Sequence, residues 1–184
     1  MNIAILTTGG TIEKVYNEAD GSLRNAGSVL EEILGELRLP DLNWRRVSVM
    51  SKDSLDMDDR DRRLILQAVR ETLPTDVDAV LVVHGTDTLT ATGDVLHAGL
   101  PDLTKPVILV GAMRPYEFRD TDAYQNMTEA LLAARLAPPG VYVVMHNQVL
   151  RFPGVVKDRT TMTFRRATPQ ERPKPAPARA GSRK

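Results

Sequence analysis

The chain has 184 residues, 42% apolar and 26% charged. That is long enough for one domain burying roughly 70% of its unfolded surface, and the composition excludes whole-chain disorder without choosing among soluble globular classes. There is no cysteine, which excludes a disulfide framework, thiolate metal sites and a cysteine nucleophile. The formal net charge of +0 conceals an asymmetry, because residues 165–184 hold seven of the 24 basic residues and one acid, Glu171, leaving 17 basic against 23 acidic residues, a charge of −6, on the rest. A body of that sign lacks the basic face that neutralises phosphates, so no nucleic-acid partner is expected.

The amino terminus, MNIAILTTGG, has no basic n-region, and its apolar run is too short for a signal peptide or a membrane span. A cytoplasmic location with no membrane partner is the expectation. Residues 3–6 read as a first buried strand, and the chain then enters TTGGTIEK. Gly9 and Gly10 permit a tight turn and close approach of a ligand to the backbone, presenting Thr11 just beyond the strand. A phosphate loop is the rival reading, but neither GK[ST] nor GxGxxG is present.

The polar stretch EKVYNEADGSLRNAG that follows reads as a mobile loop or hairpin able to close over a site. Residues 28–37 form a helical pattern opened by Ser28, residues 47–50 a second strand, and residues 58–73 a helix capped by Asp58. A third apolar run, 79–83, leads into HGTDTLTATG, which places Thr86 and Asp87 beside Gly85 at another strand end. On spacing alone, Asp87 or Thr88 capping the next helix, 88–100, is the stronger account of that segment. Strand 107–110, helix 123–136 and strand 141–145 complete the alternation.

Strand and helix in alternation predict an α/β fold with a doubly wound, mostly parallel sheet and right-handed crossovers. Five such strands suit a flavodoxin-like order, 2-1-3-4-5, with the ligand crevice at the carboxyl ends of the first and third. Thr11 and Thr86 would then face one another. Residues 1–165 are expected to form the domain, and from Arg166 onward a Pro-, Ala- and Arg-rich tail, 166–184, is expected to be extended or disordered.

The three histidines, His84, His97 and His146, lack metal-ligand spacing such as HExxH, and no metal is expected. Arg114 and Arg119 are suited to gripping a carboxylate, but arginines after a strand more often pair with nearby acids, here Glu117, Asp120 and Asp122, and they are left outside the site.

TTGGTIEK, HGTDTLT and ILVGAMRP, in this order and each at a strand end, resemble the signature segments of the bacterial-type asparaginase and glutaminase family. The resemblance runs from Met1 to about Lys157, through VLRFPGVVKDRTT. It implies a flavodoxin-like catalytic domain, no cofactor, an amino-acid amide as substrate, and Thr11, Tyr16, Thr86, Asp87 and Lys157 as catalytic positions. Gly10, Ser54, Leu55, Gly85 and Ala112 would line the substrate site.

A threonine hydroxyl is a weak nucleophile until a base activates it. Lys157 can take the proton only when neutral; burial favours the neutral amine and a carboxylate such as Asp87 favours the charged one. The implied reaction is attack by Thr11 on the amide, release of ammonia and hydrolysis of the acyl-enzyme, with backbone N–H groups holding the oxyanion. Thr86 either serves as nucleophile for one step or activates the water.

Two departures from the family are visible. Its smaller second domain, with an acid that helps hold the substrate ammonium from a neighbouring subunit, has no counterpart in these residues, and a homo-oligomer built differently from the family's tetramer is expected. Leu55 also stands where members usually carry a polar residue. L-Asparagine hydrolysis is the principal reading; glutamine or mixed hydrolysis, and a non-catalytic amino-acid sensor or amidotransferase subunit, are the alternatives. A nucleotide-binding flavodoxin-like module would leave HGTDT and Lys157 unexplained.

Overall fold

The computed structural model describes residues 1–25 and 29–171. Its strands are β1 (Asn2–Thr7), β2 (Lys14–Asn17), β3 (Ser22–Asn25), β4 (Asn43–Ser48), β5 (Ala79–Val83), β6 (Pro106–Val110), β7 (Gly140–Met145), β8 (Gln148–Arg151), β9 (Val155–Asp158) and β10 (Thr163–Arg166). The helices are α1 (Val29–Glu36), α2 (Asp59–Thr72), α3 (Leu89–Gly99) and α4 (Ala123–Leu136). The expected Ser28 cap of α1 lies outside the described residues.

The main sheet runs β4-β1-β5-β6-β7-β8. Its first five members are parallel, and β8 returns antiparallel to β7. Taken by order in the chain these five are the second, first, third, fourth and fifth long strands, so the doubly wound, flavodoxin-like order holds and β8 adds an antiparallel edge. The switch point falls between β1 and β5.

Strand alternation builds two cores from one sheet. Ile3 and Ile5 of β1, with Leu81 and Val83 of β5, join Leu30 and Ile33 of α1 and Met127 of α4 on one face. Ala4 and Leu6, with Val80 and Val82, join Ile65 and Val69 of α2 and Leu89 and Leu96 of α3 on the other. At the start of α2, Asp58 accepts from the N–H groups of Arg60 and Asp61 while Asp61 accepts from that of Asp58, a reciprocal capping box.

The second strand corrects the expectation of 47–50: it is Asn43–Ser48. As an edge strand bonded only to β1 it alternates in burial, and its Asn-Trp-Arg-Arg stretch offers no apolar run. Val49 and Met50 lie past its end, where their N–H groups donate to Thr7 O at 3.0 and 3.3 Å.

The polar stretch after Thr11 forms a hairpin, β2 against β3, with Tyr16 opposite Leu23. It is tied down at two points: Tyr16 N–H donates to Glu117 Oε2 at 2.6 Å, and Lys14 Nζ lies 2.7 Å from Asp53 Oδ2.

The expected boundary at Arg166 also needs correction. Arg166 belongs to β10, Ala167 is buried with its N–H donated to Gly154 O at 2.9 Å, and Glu171 pairs with Arg165 at 2.8 Å. The ordered body therefore continues to Glu171: Ala167 adds a small side chain to the core and Glu171 adds an acid beside Arg165. The rest of the tail, 172–184, lies outside the described residues. Among the described residues no helix is long and apolar enough to cross a membrane.

Candidate active site

The ends of β1 and β5 are fastened together by Thr8, which is fully buried and donates both its N–H and its hydroxyl to Val83 O, at 3.1 and 2.9 Å. Beyond that clasp Gly9 and Gly10 take φ of 95° and 102°, a region closed to most side chains. A Cβ on Gly10 would lie 2.4 Å from Gly85 N. Two backbones thus touch where no side chain fits, and Thr11 and Thr86 each stand one residue past the contact.

Thr11 opens a short 3-10 turn, Thr11–Glu13. Glu13 holds the turn from beneath: it is buried, its Oε2 accepts the Gly9 N–H at 3.0 Å, and its Oε1 lies 3.7 Å from Arg46. Burial raises its pKa, opposed by Arg46 and the Gly9 N–H.

On the β5 side the chain turns through His84, Gly85, Thr86 and Asp87. His84 is fully buried, and burial lowers its pKa to about 4, so at neutral pH the ring is uncharged. Its Nδ1 lies 2.7 Å from Gly85 O, which can only accept, so Nδ1 carries the proton and Nε2 accepts from the Thr92 hydroxyl at 2.9 Å. The imidazole thereby braces the turn that presents Thr86.

Gly85 is also the meeting point of two further loops. A Cβ there would fall 2.6 Å from Ser54 Oγ, and the Thr88 hydroxyl donates to Ser54 O at 2.7 Å. A Cβ on Gly111 would meet His84 O at 2.4 Å and Thr86 Cγ2 at 3.3 Å, which brings the loop of buried Ala112 against the same turn.

That loop is pinned by Asp122, whose carboxylate accepts from Met113 N and Arg114 N at 3.0 Å, from Asn126 Nδ2 at 2.7 Å, and faces His146 Nε2 at 2.8 Å. Burial would raise the pKa of Asp122, but these donors outweigh it and the net shift is downward. Arg114 pairs with Asp120, as expected of an arginine outside the site.

Lys157 arrives from the far end of the chain. Phe152, buried between β8 and β9, lies over Gly93 of α3, where a Cβ would come within 2.1 Å of the ring. With Phe152 so seated, β9 packs near α3 and brings Lys157 to the turn after β5. Lys157, its side chain only 8% exposed, donates to Thr86 Oγ1 at 2.8 Å and to Asp87 Oδ1 at 2.9 Å. With Lys157 Nζ donating to it, the Thr86 oxygen is an acceptor and its own proton is left free to point elsewhere.

Of the expected site residues, Gly10, Ser54, Gly85, Thr86, Asp87, Ala112 and Lys157 are linked by these contacts, and Thr11 adjoins them. Leu55 is 66% exposed beside Ser54. Tyr16 is 56% exposed, and its hydroxyl lies at the hairpin's own turn, 3.7 Å from where a Cβ on Gly21 would stand. Sequence reasoning passed over Glu13 and Arg159, whose guanidinium lies 3.4 Å from Asp87 Oδ1. The two-residue spacing from Lys157 was the available sign. Among the described residues no group of three or more His, Asp or Glu is placed to hold a metal ion.

Residues 2–172 match the family model described as Asparaginase, N-terminal. This chain belongs to the asparaginase family. Over 171 residues it is 33% identical to the probable periplasmic L-asparaginase of Haemophilus influenzae, covering 87% of this chain and 47% of that relative. It is 30% identical over 149 residues to one of the subunits of the glutamyl-tRNA(Gln) amidotransferase of Methanococcus vannielii, covering 80% of this chain and 35% of that one. The thermostable L-asparaginase from Thermococcus kodakarensis superimposes with a TM-score of 0.80 at 28% identity, over 90% of this chain and 51% of its own. The chain thus spans about half or less of the asparaginase-family proteins it matches.

Proposed function

We propose that this chain hydrolyses the side-chain amide of L-asparagine to L-aspartate and ammonia through a threonine nucleophile and an acyl-enzyme, without a cofactor. The observation that carries the reading is the contact of Lys157 Nζ with both Thr86 Oγ1 and Asp87 Oδ1, at 2.8 and 2.9 Å, on a turn whose Gly85 abuts Gly10.

Thr11 Oγ adds to the amide carbon, and the proton its hydroxyl loses is delivered to the amide nitrogen, so that the C–N bond breaks and nitrogen leaves as ammonia. Water then adds to the ester, and cleavage of the new bond restores Thr11 and frees the acid. Thr86, oriented by Lys157, activates that water or shares the first attack. Backbone N–H groups at the glycine turns bear the oxyanion in both steps, which costs little reorganisation because they are already fixed.

The test is ammonia release from L-asparagine, L-glutamine and D-asparagine by the purified chain beside Thr11→Ala and Thr86→Ala. Release from L-asparagine that both substitutions abolish supports the reading; none from any substrate overturns it.

A second reading has its own support, since relatives named as glutamyl-tRNA(Gln) amidotransferase subunits match 80% of this chain. On that reading the chain would be one part of a larger assembly, with glutamine as the amide it opens. Asparagine and glutamine differ by one methylene, which a pocket separates by about 1–3 kcal/mol. A preference for glutamine in the same assay would favour this reading.

A further inference from the structure

Lys157 is carried by a piece of sheet that stands apart from the main one. Among the described residues β9 and β10 form a two-stranded ribbon of their own, and a lone ribbon of that size has little stability or fixed position by itself. Phe152, Val155 and Phe164 seat it in the core. Apolar packing is non-directional, however, and does not by itself fix where Lys157 Nζ meets Thr86.

His146 supplies a directional tie. Thr163 of β10 stands opposite Asp158 of β9, next to the pair of Phe164 and Lys157, and its Oγ1 lies 3.0 Å from His146 Nδ1. The other ring nitrogen, Nε2, lies 2.8 Å from Asp122 Oδ2. A carboxylate only accepts, so Nε2 carries a proton; the hydroxyl can donate to Nδ1 or accept from it, and both contacts survive in either charge state of the ring.

Beyond the ring the ties lead to the turn of Thr86. Asp122 accepts the N–H groups of Met113 and Arg114 at 3.0 Å. The His146 N–H donates to Asn126 Oδ1 at 3.1 Å, and Asn126 Nδ2 donates to Gly111 O at 3.0 Å. A Cβ on Gly111 would stand 3.3 Å from Thr86 Cγ2. The ribbon thus reaches Thr86 by two routes, from β9 through Lys157 and from β10 through His146. Both ends of the second route lie in left-handed backbone, which few residues with a side chain adopt: His146 has φ 52°, and Met162, just before Thr163, has φ 50°. Such conformations persist where the surroundings over-determine them.

We infer that His146 is a positioning residue, whose ring fixes the β9–β10 ribbon against the loop of Gly111 and Ala112 and so sets the 2.8 Å contact of Lys157 Nζ with Thr86 Oγ1. The inference rests on the reading of Thr86 and Lys157 as reacting groups. A loosened ribbon misplaces that pair and leaves the rest of the lining where it was, so the loss falls on kcat.

The experiment uses the full chain. Thr163→Val removes the hydroxyl but keeps the shape and strand preference of the residue, and it leaves the β7–β8 turn untouched, so it decides the matter even where His146→Leu fails to fold. It should lower kcat for ammonia release from L-asparagine about tenfold and leave KM within about twofold. His146→Leu should lose at least as much, the double variant no more than His146→Leu alone, because the two residues form one link. His146→Gln, whose amide also offers one donor and one acceptor, should stay nearer the parent. An unchanged kcat in Thr163→Val, losses that multiply in the double variant, or an effect confined to KM overturns the inference. A second readout does not need turnover: the Lys157 Cε resonance of the chain labelled with 13C-lysine, identified by its loss in Lys157→Met, should move toward the position of an exposed lysine in Thr163→Val. That shift without ammonia release from the parent would keep the positioning role and remove the hydrolase reading; ammonia release with kcat and resonance indifferent to Thr163→Val would do the reverse.

Discussion

Gly10 and Gly85, 75 positions apart in the chain, touch backbone to backbone, and a Cβ on Gly10 would come within 2.4 Å of Gly85 N. This contact sets the spacing between the two threonine turns. Its tightness and the φ of 102° leave room at position 10 for glycine and for no side chain.

Gly10→Ala is expected to cost about 1–3 kcal/mol from the strained φ and to lose most ammonia release, because the two turns must part to admit the methyl group. Urea denaturation midpoints and the activity assay check both halves. A variant as stable and active as the parent would remove the contact from the account.

Lys157→Met should leave the fold intact by circular dichroism and lower ammonia release about a thousandfold, since Thr86 Oγ1 loses its oriented partner. Lys157→Arg should not restore activity, as a guanidinium cannot exchange a proton near neutral pH.

Glu13→Ala frees the Gly9 N–H that precedes Thr11. A displacement of about 1 Å at a nucleophile costs on the order of a hundredfold in rate, so kcat should fall by that order. Glu13→Gln, which keeps an acceptor oxygen, should fall less. Equal losses in the two variants would show that the carboxylate charge matters and not the hydrogen bond.

The pH dependence of stability follows from His84. Its pKa is depressed from 6.5 to about 4 by burial, so between those values the unfolded chain binds a proton that the folded chain does not. Stability from this group is complete above about pH 6.5 and falls as the pH drops toward 4, by about 3 kcal/mol in all. Urea unfolding from pH 4 to 7 should show this slope, and His84→Asn should flatten it even if the variant is less stable throughout.

Asp122→Ala strips the acceptor from the N–H groups of Met113 and Arg114 and the amide of Asn126 together. Losing the partner of the half-buried Met113 N–H and of one Asn126 amide hydrogen, beside the exposed Arg114 N–H, should cost about 3 kcal/mol, which urea midpoints would read directly. The lowered pKa of Asp122 carries the same sign: its contribution is present above the ordinary carboxylate range and is lost as pH falls through its own lower value.

Much of the fold was legible in the chain before folding. The buried runs of β1, β5, β6 and β7 declare themselves because strands covered on both faces must be continuously apolar. β4 did not, because an edge strand buries little, and residues 167–171 did not, because composition says nothing of which alanine finds a core.

Resemblance to a known family picked out the threonines, aspartate and lysine of the candidate site; the sequence by itself determined the alternation of the long strands and helices and the glycines at the first strand end. These are local properties, set by period, propensity and steric exclusion. Tertiary structure alone decided that Lys157 reaches Thr86 across 71 positions, that Glu13 and His84 brace the two turns from below, and that Arg159 shares the face of Lys157. Those depend on which backbones close on one another, and closing a loop of such length is specified by the packed core as a whole rather than by any segment within it.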